Sequence, residues 1–192
     1  MDFKTSETAQ NLLKAFAGES QARNRYTFAA SIAKKEGFEH IAAIFTETAA
    51  NEKEHAKLFF AHLAPLAPEM IQITASYPVV AGDTKAQLKA ARDGENEEWS
   101  ALYPEFAAKA KEEGFADVAR TFEWVSKVEK EHESVFSRLL TRVENGTVFK
   151  REEKIFWRCL ECGHMHEGTT APGMCPVCKH PQAYFAPVGE NF

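Results

Sequence analysis

The sequence predicts an all-α four-helix bundle with a long crossover between helices 2 and 3, followed by a small four-cysteine module with short β-strands. Three observations carry this. Residues 33–55 (AKKEGFEHIAAIFTETAANEKEH) realign onto residues 110–132 (AKEEGFADVARTFEWVSKVEKEH) at a constant offset of 77, with 11 of 23 positions identical and both copies ending in Glu-Lys-Glu-His. Gly and Pro divide the first 145 residues into four long helical stretches. All four cysteines lie at 159, 162, 175 and 178, and none precedes them.

The first helix runs from about Thr5 to Glu36, with Thr5 or Ser6 as N-cap and Gly37 just past its end. The second runs from about Phe38 to Ala64 and stops before Pro65. A segment of roughly 18 residues carrying Pro65, Pro68 and Pro78 follows, far longer than a turn between antiparallel neighbours requires. The third helix starts near Asp83, an N-cap, and ends at Gly114, and the fourth continues from Phe115 to about Glu144. Short links within each pair and a long crossover between pairs give ferritin-like connectivity. The bundle occupies residues 1–146. The Gly-, Pro-, Cys- and aromatic-rich tail, 147–192, is a second module that needs a metal to fold, because so short a chain buries little core.

Composition narrows the function. Of 192 residues, 27% are charged, and the formal charge is −5 with no extended basic stripe, which argues against a nucleic-acid partner. No apolar run approaches the ~20 residues that span a bilayer. The N-terminus, MDFKTSETAQ, lacks a basic region followed by an apolar one, so a cytoplasmic location is expected.

On helix 2 the stripe Ile41, Phe45, Thr48, Glu52, His55, Phe59 keeps to one face, and on helix 4 Val118, Phe122, Val125, Glu129, His132, Phe136 does the same. Each inward stripe places a carboxylate and an imidazole where an aliphatic residue is expected. A buried unpaired carboxylate is costly, so it needs a cation or a proton. One Glu-x-x-His on a charged helix is a frequent accident; two in register point to a metal pair.

Helix 1 adds Glu19 on a face with Leu12, Phe16, Arg23 and Tyr26. The offset takes Tyr26 to Tyr103, but Gly18-Glu19 matches Gly94-Glu95 only if helix 3 holds one additional residue. Such an insertion inside a helix predicts a π-bulge. Helix 3 offers Glu95 and Glu98 on one face, with Glu97 pointing elsewhere. The set contains everything a di-iron carboxylate bundle requires and one carboxylate more. Oxygen and imidazole ligands suit iron or manganese and do not exclude zinc. Tyr26 and Tyr103 are candidates to hydrogen-bond the ligands, as is Arg23, although all three also fit ordinary packing roles.

Cys159-x-x-Cys162 and Cys175-x-x-Cys178 form two knuckles for one tetrahedral four-thiolate site, and the spacing leaves zinc and iron both open. Phe156, Trp157, Tyr184 and Phe185 are placed to shield the sulfurs, while His164, His166 and His180 read as surface residues because four thiolates complete the shell.

The motifs AFAGESQARNRY (15–26), ETAANEKEHAK (47–57), GENEEW (94–99), EKEHE (129–133) and the final CxxC-x12-CxxC resemble those of the rubrerythrins, in the family's order and over nearly the whole chain. The resemblance implies iron at both sites. Glu52 and Glu129 would bridge two irons, with Glu19 terminal on one and Glu95 and His132 on the other. Glu98 and His55 would be alternative ligands of the first iron, exchanged with oxidation state. The implied activity is peroxidase: hydrogen peroxide is reduced to water in defence against oxidative stress. Electrons would come from a rubredoxin or a separate NAD(P)H-linked reductase through the four-cysteine iron, within a homodimer or larger homo-oligomer. A ferroxidase or oxidase acting on Fe2+ or O2, or a metal-storage protein with a zinc ribbon, are the alternatives.

Overall fold

The computed structural model describes residues 2–189. After a 3-10 turn at Phe3–Thr5, α1 (Glu7–Lys35) begins at Ser6, whose Oγ accepts the Ala9 N–H at 3.1 Å. Thr5 thus precedes the helix. The link to α2 (Glu39–His62) is short because Gly37 adopts φ 83° and closes a Schellman turn, Phe38 N–H reaching Ala33 O at 2.9 Å. Gly114, 77 residues on, repeats the device at φ 89° with Phe115 N–H on Ala110 O at 2.8 Å. Each half is therefore the same helical hairpin. The second helix ends two residues earlier than expected, in a 3-10 turn at Ala64–Leu66 where Pro65 cannot continue the α ladder.

The crossover is tied down by Tyr77, whose hydroxyl donates to Lys14 O at 2.8 Å. The next helix comes in three consecutive pieces: α3 (Thr84–Glu97), capped by Asp83 Oδ1 on Ala86 N–H, a π-helical turn at Glu98–Leu102, and α4 (Tyr103–Glu112). The inserted residue is absorbed where the broken repeat requires. The bundle closes with α5 (Ala116–Glu144).

Every residue of both predicted stripes is buried. They supply two apolar plugs, one built on Leu12, Phe59, Tyr103, Phe106 and Phe122, the other on Tyr26, Ile41, Phe45, Leu88, Phe136 and Leu139. The polar cluster lies between these plugs, so water reaches it poorly. Glu113 accepts the Glu7 N–H at 3.0 Å and the Thr8 N–H at 2.8 Å, tying the start of α1 to the end of α4.

The tail folds as a three-stranded antiparallel sheet in the order β2-β1-β3, with β1 (Lys150–Cys159), β2 (Met165–Thr170) and β3 (Phe185–Pro187). It rests on the α1–α2 turn: Phe149 stacks on Phe38 at 6.2 Å between ring centroids, and Leu160 and Tyr184 face Ala42, Ala43 and Thr46 across a crevice. Among the described residues, no helix is long and apolar enough to cross a membrane.

Candidate metal centre

Glu52 and His55 on α2, and Glu129 and His132 on α5, face one another across the bundle axis. His55 Nδ1 lies 2.9 Å from Glu52 Oε2 and 2.8 Å from Glu129 Oε1. His132 Nδ1 lies 3.2 Å from Glu52 Oε1 and 2.8 Å from Glu129 Oε2. Each central carboxylate thus turns one oxygen to each imidazole. At the two ends, Glu19 Oε2 stands 3.9 Å from His55 Nδ1 and Glu95 Oε2 stands 3.9 Å from His132 Nδ1. Two ligand groups result, Glu19, Glu52, His55, Glu129 and Glu52, Glu95, Glu129, His132, each with donor atoms within 4.8 Å of one another.

Tyr26 donates to Glu95, and Tyr103 donates to Glu19. Both tyrosines therefore engage candidate ligands, each the glutamate from the opposite half. Arg23 is exposed and lies on the outer surface with Lys53 and Lys57, away from the centre. Asn51, which the sequence reading missed, approaches His132 Nε2 at 3.4 Å, leaving Nδ1 to face the carboxylates. No motif marks it, since its counterpart in the repeat is Val128.

Glu98 behaves differently. Sitting on the π turn, it belongs to neither ligand group and is half-buried. It lines a cavity of about 300 Å³ together with Gly18, Arg25, Tyr77 and Tyr103. Arg25 is held there by Gln21 at 2.6 Å, and its charge, like that of His55, acts to lower the Glu98 carboxyl. Glu97 is exposed, as expected.

The electrostatics call for cations. Burial first, then repulsion from Glu52 and Glu129, pushes the carboxyls of Glu19 and Glu95 well above the usual range. Burial and the same two neighbours do so for Glu98. Burial alone would lower the imidazoles, but the carboxylates of Glu129 and Glu52 outweigh it and lift His55 to about 10 and His132 to about 9. Glu52 goes the other way, to about 2, because His132 and His55 overcome its burial. Among the described residues, Glu19 Oε2 and Glu95 Oε2 are buried without a hydrogen-bond partner, and Glu52 Oε1, both Glu129 oxygens and His132 Nδ1 have only the close imidazole–carboxylate contacts given above, without hydrogen-bond geometry. Orphaned buried acceptors converging on two points are what a pair of cations would satisfy. The donor set fits the group.

In the tail, the two knuckles are built alike. Gly163 N–H bonds Cys159 O at 2.9 Å, and Lys179 N–H bonds Cys175 O at 3.0 Å, each residue having positive φ. Lys179 thus adopts the conformation that glycine adopts in the first knuckle. The thiols pair across the site at 3.7 Å (Cys159 to Cys178) and 3.6 Å (Cys162 to Cys175). These separations are far above a disulfide bond and match the edge of a tetrahedron with metal–sulfur bonds of about 2.3 Å. Trp157 and Phe185 are buried with Cys159 and Cys175, and Tyr184 packs beside them. Phe156 does not shield the site: strand alternation turns it outward and leaves it 51% exposed. His180 is no free surface residue either, since its Nδ1 lies 3.3 Å from Cys178 Sγ and its ring packs on Tyr184.

Fold and sites together define a ferritin-like di-metal carboxylate bundle joined to a rubredoxin-like module. Residues 10–140 match the rubrerythrin family profile, and residues 157–186 match that of the rubrerythrin rubredoxin-like domain. The chain is 54% identical to rubrerythrin-1 of Clostridium acetobutylicum over 98% of each chain. It is also 54% identical to rubrerythrin of Porphyromonas gingivalis, covering 98% of this chain and 94% of that one. Among solved structures, mixed-valence nigerythrin superposes with a TM-score of 0.64 at 30% identity, over 95% of this chain and 90% of that one. A Desulfovibrio desulfuricans bacterioferritin, at 22% identity and TM-score 0.65, shares the bundle fold over 72% of this chain and 81% of its own. The chain belongs to the rubrerythrin family. It accordingly has a di-iron centre in the bundle and an iron site in the four-cysteine module, and it is an oxidoreductase of the oxidative-stress class.

Proposed function

We propose that the protein is a peroxidase that reduces hydrogen peroxide to water at the bundle centre, with electrons entering through the four-cysteine site. The observation that carries this reading is the pairing of a closed site with an open one. Four thiolates fill a tetrahedral shell and leave no position for substrate, which suits electron transfer. At the bundle centre, Glu98 stands outside both ligand groups, on the side of the cavity.

Glu52 and Glu129 would hold both ions, Glu19 and His55 would complete one, Glu95 and His132 the other, and Glu98 would exchange with His55. When bound, the two irons supply the two electrons that break the O–O bond, and a two-metal site stabilises both oxygens. Tyr26 and Tyr103 fix the orientation of Glu95 and Glu19, and the aromatic plugs exclude water. Reduction of one peroxide to two waters also takes two protons. In this reading the chain divides into a catalytic bundle, 1–146, and an electron-entry module, 147–192, supplied by a rubredoxin or an NAD(P)H-linked reductase and acting as a homo-oligomer.

Rapid mixing of the chemically reduced protein tests the substrate. Oxidation by hydrogen peroxide should outpace oxidation by dissolved O2 at equal concentration. The reverse order would make the protein an oxidase.

A further inference from the structure

A helix that widens to five-residue hydrogen bonding leaves a carbonyl that must find another donor. At the end of the π turn the Tyr103 N–H bonds Glu98 O, so it is engaged away from the Trp99 carbonyl four residues before it. The next donor along the chain would be the N–H of residue 104, which is proline and has none. Neither helical donor serves the Trp99 carbonyl. The hydroxyl of Ser126 on α5 does, donating to Trp99 O at 3.1 Å. One turn further along α5, Lys130 sets its ammonium 5.1 Å over the Trp99 ring.

The other half of the repeat acts as a control. The offset of 77 maps Ser126 onto Ala49 and Pro104 onto Thr27. Ala49 has no hydroxyl, Thr27 keeps its N–H, and α1 runs as unbroken α-helix through Glu7–Lys35. Proline, hydroxyl and bulge occur together in one half and are all missing from the other.

We propose that Pro104 and Ser126 form a backbone lock that holds the third helix in its bulged register and thereby keeps Glu98 beside the metal centre, outside both ligand groups. Resorbing the bulge would turn the residues on one side of it by about 100° around the helix axis. Glu95 and Glu98 on one side of the bulge and Tyr103 on the other could then no longer hold their present places together. Ser126 is a positioning residue acting through the Trp99 carbonyl. The lock stands on the hydrogen-bond geometry alone, whereas its consequence for chemistry rests on the reading of Glu98 as an exchangeable ligand.

Hydrogen exchange on the iron-loaded full-length protein tests the lock. Ser126→Ala should speed amide exchange within 98–103 about tenfold, the scale of one lost hydrogen bond. Ser126→Thr, which keeps the hydroxyl, should exchange as the parent does. Parent-like exchange in Ser126→Ala overturns the lock, and so does alanine-like exchange in Ser126→Thr. Mössbauer spectra of the same samples, oxidised and reduced, report on Glu98 separately. Faster exchange with altered iron signals supports both the lock and the exchangeable ligand. Faster exchange with unaltered signals in both states supports the lock and removes Glu98 from the ligand exchange.

Discussion

The hydroxyl of Tyr103 donates its hydrogen bond to Glu19, a carboxylate from the other half of the internal repeat. Tyr26 reciprocates on Glu95, so each hairpin hydrogen-bonds a buried glutamate of its neighbour. Tyr103 is fully buried among Phe59, Phe106 and Phe122, with ring centroids 5.5, 6.4 and 5.7 Å away. Removing such a hydroxyl leaves the packing intact and frees the carboxylate. Tyr103→Phe or Tyr26→Phe should therefore cost about 10- to 100-fold in the rate of peroxide reaction or in iron affinity, as loss of a ligand's hydrogen-bond partner does. Single-turnover kinetics with parallel iron titration would measure it, and parent-like values in both variants would reduce the tyrosines to packing.

The crowding of carboxyls makes metal binding a proton exchange. Glu19, Glu95 and Glu98 are pushed up by burial and by one another's neighbours, and His55 and His132 stand near 10 and 9, so the metal-free fold holds protons at neutral pH. Divalent cations must displace them. Apparent affinity should thus rise with pH until the imidazoles are neutral. The sign for stability is opposite. The imidazole pKa values are raised, so their contribution is complete below about 6.5 and is lost as pH rises through about 9 to 10. Calorimetric titration of the metal-free protein in two buffers of different ionisation heat should show net proton release. Identical heats would contradict the burial argument.

Much of this centre was legible in the sequence because it is periodic. Glu52, His55, Glu129 and His132 replace aliphatic residues within two buried stripes, and a 3.6-residue period shows that without coordinates. The insertion before Tyr103 was legible too, as a mismatch between two copies. The partners of these residues were not. Ser126, Asn51 and Arg25 act across helices, and nothing in their own segments distinguishes them from surface polar residues. His180 eluded the reading for a related reason: the turn after Cys178 folds its ring back onto a sulfur, and that depends on Lys179 adopting positive φ.

Glu113 offers a test of how the two hairpins are joined. Its carboxylate accepts from Glu7 N–H, Thr8 N–H and the Thr8 hydroxyl, satisfying donors at the open end of α1. Burial, the largest single influence, raises its pKa, but the Thr8 and Glu7 bonds together prevail and hold it below the usual value. A depressed pKa contributes stability above the unfolded range near 4.3 and loses it as pH falls through the folded value. Glu113→Ala should cost about 1 kcal/mol at pH 7, the loss of a helix cap, and little when the carboxyl is already protonated. Chemical denaturation at both pH values would check this; an equal cost at acid pH would point to packing.

The last test concerns the path of electrons. The cysteine module sits beside Ala42 and Thr46, and Thr46 precedes Glu52 by six residues, about 9 Å of helix rise. If the working unit is the homodimer implied by the resemblance, the module of one chain serves the di-iron centre of the other. Two separately inactive chains then decide the route. Cys159→Ser lacks electron entry but keeps the bundle, and Glu129→Ala lacks the bundle centre but keeps the thiolates. Cys159→Ser alone should lose turnover with a donor protein while its chemically reduced form still reacts with peroxide. Mixed, unfolded together and refolded with iron, the two variants form hybrids that carry one intact module and one intact centre on opposite chains. Transfer across the interface should restore about a quarter of parental turnover, since half the dimers are hybrids and each hybrid has one complete pair. That share follows from random pairing alone and assumes no new contact. Hybrids that remain inactive would place the whole path within a single chain.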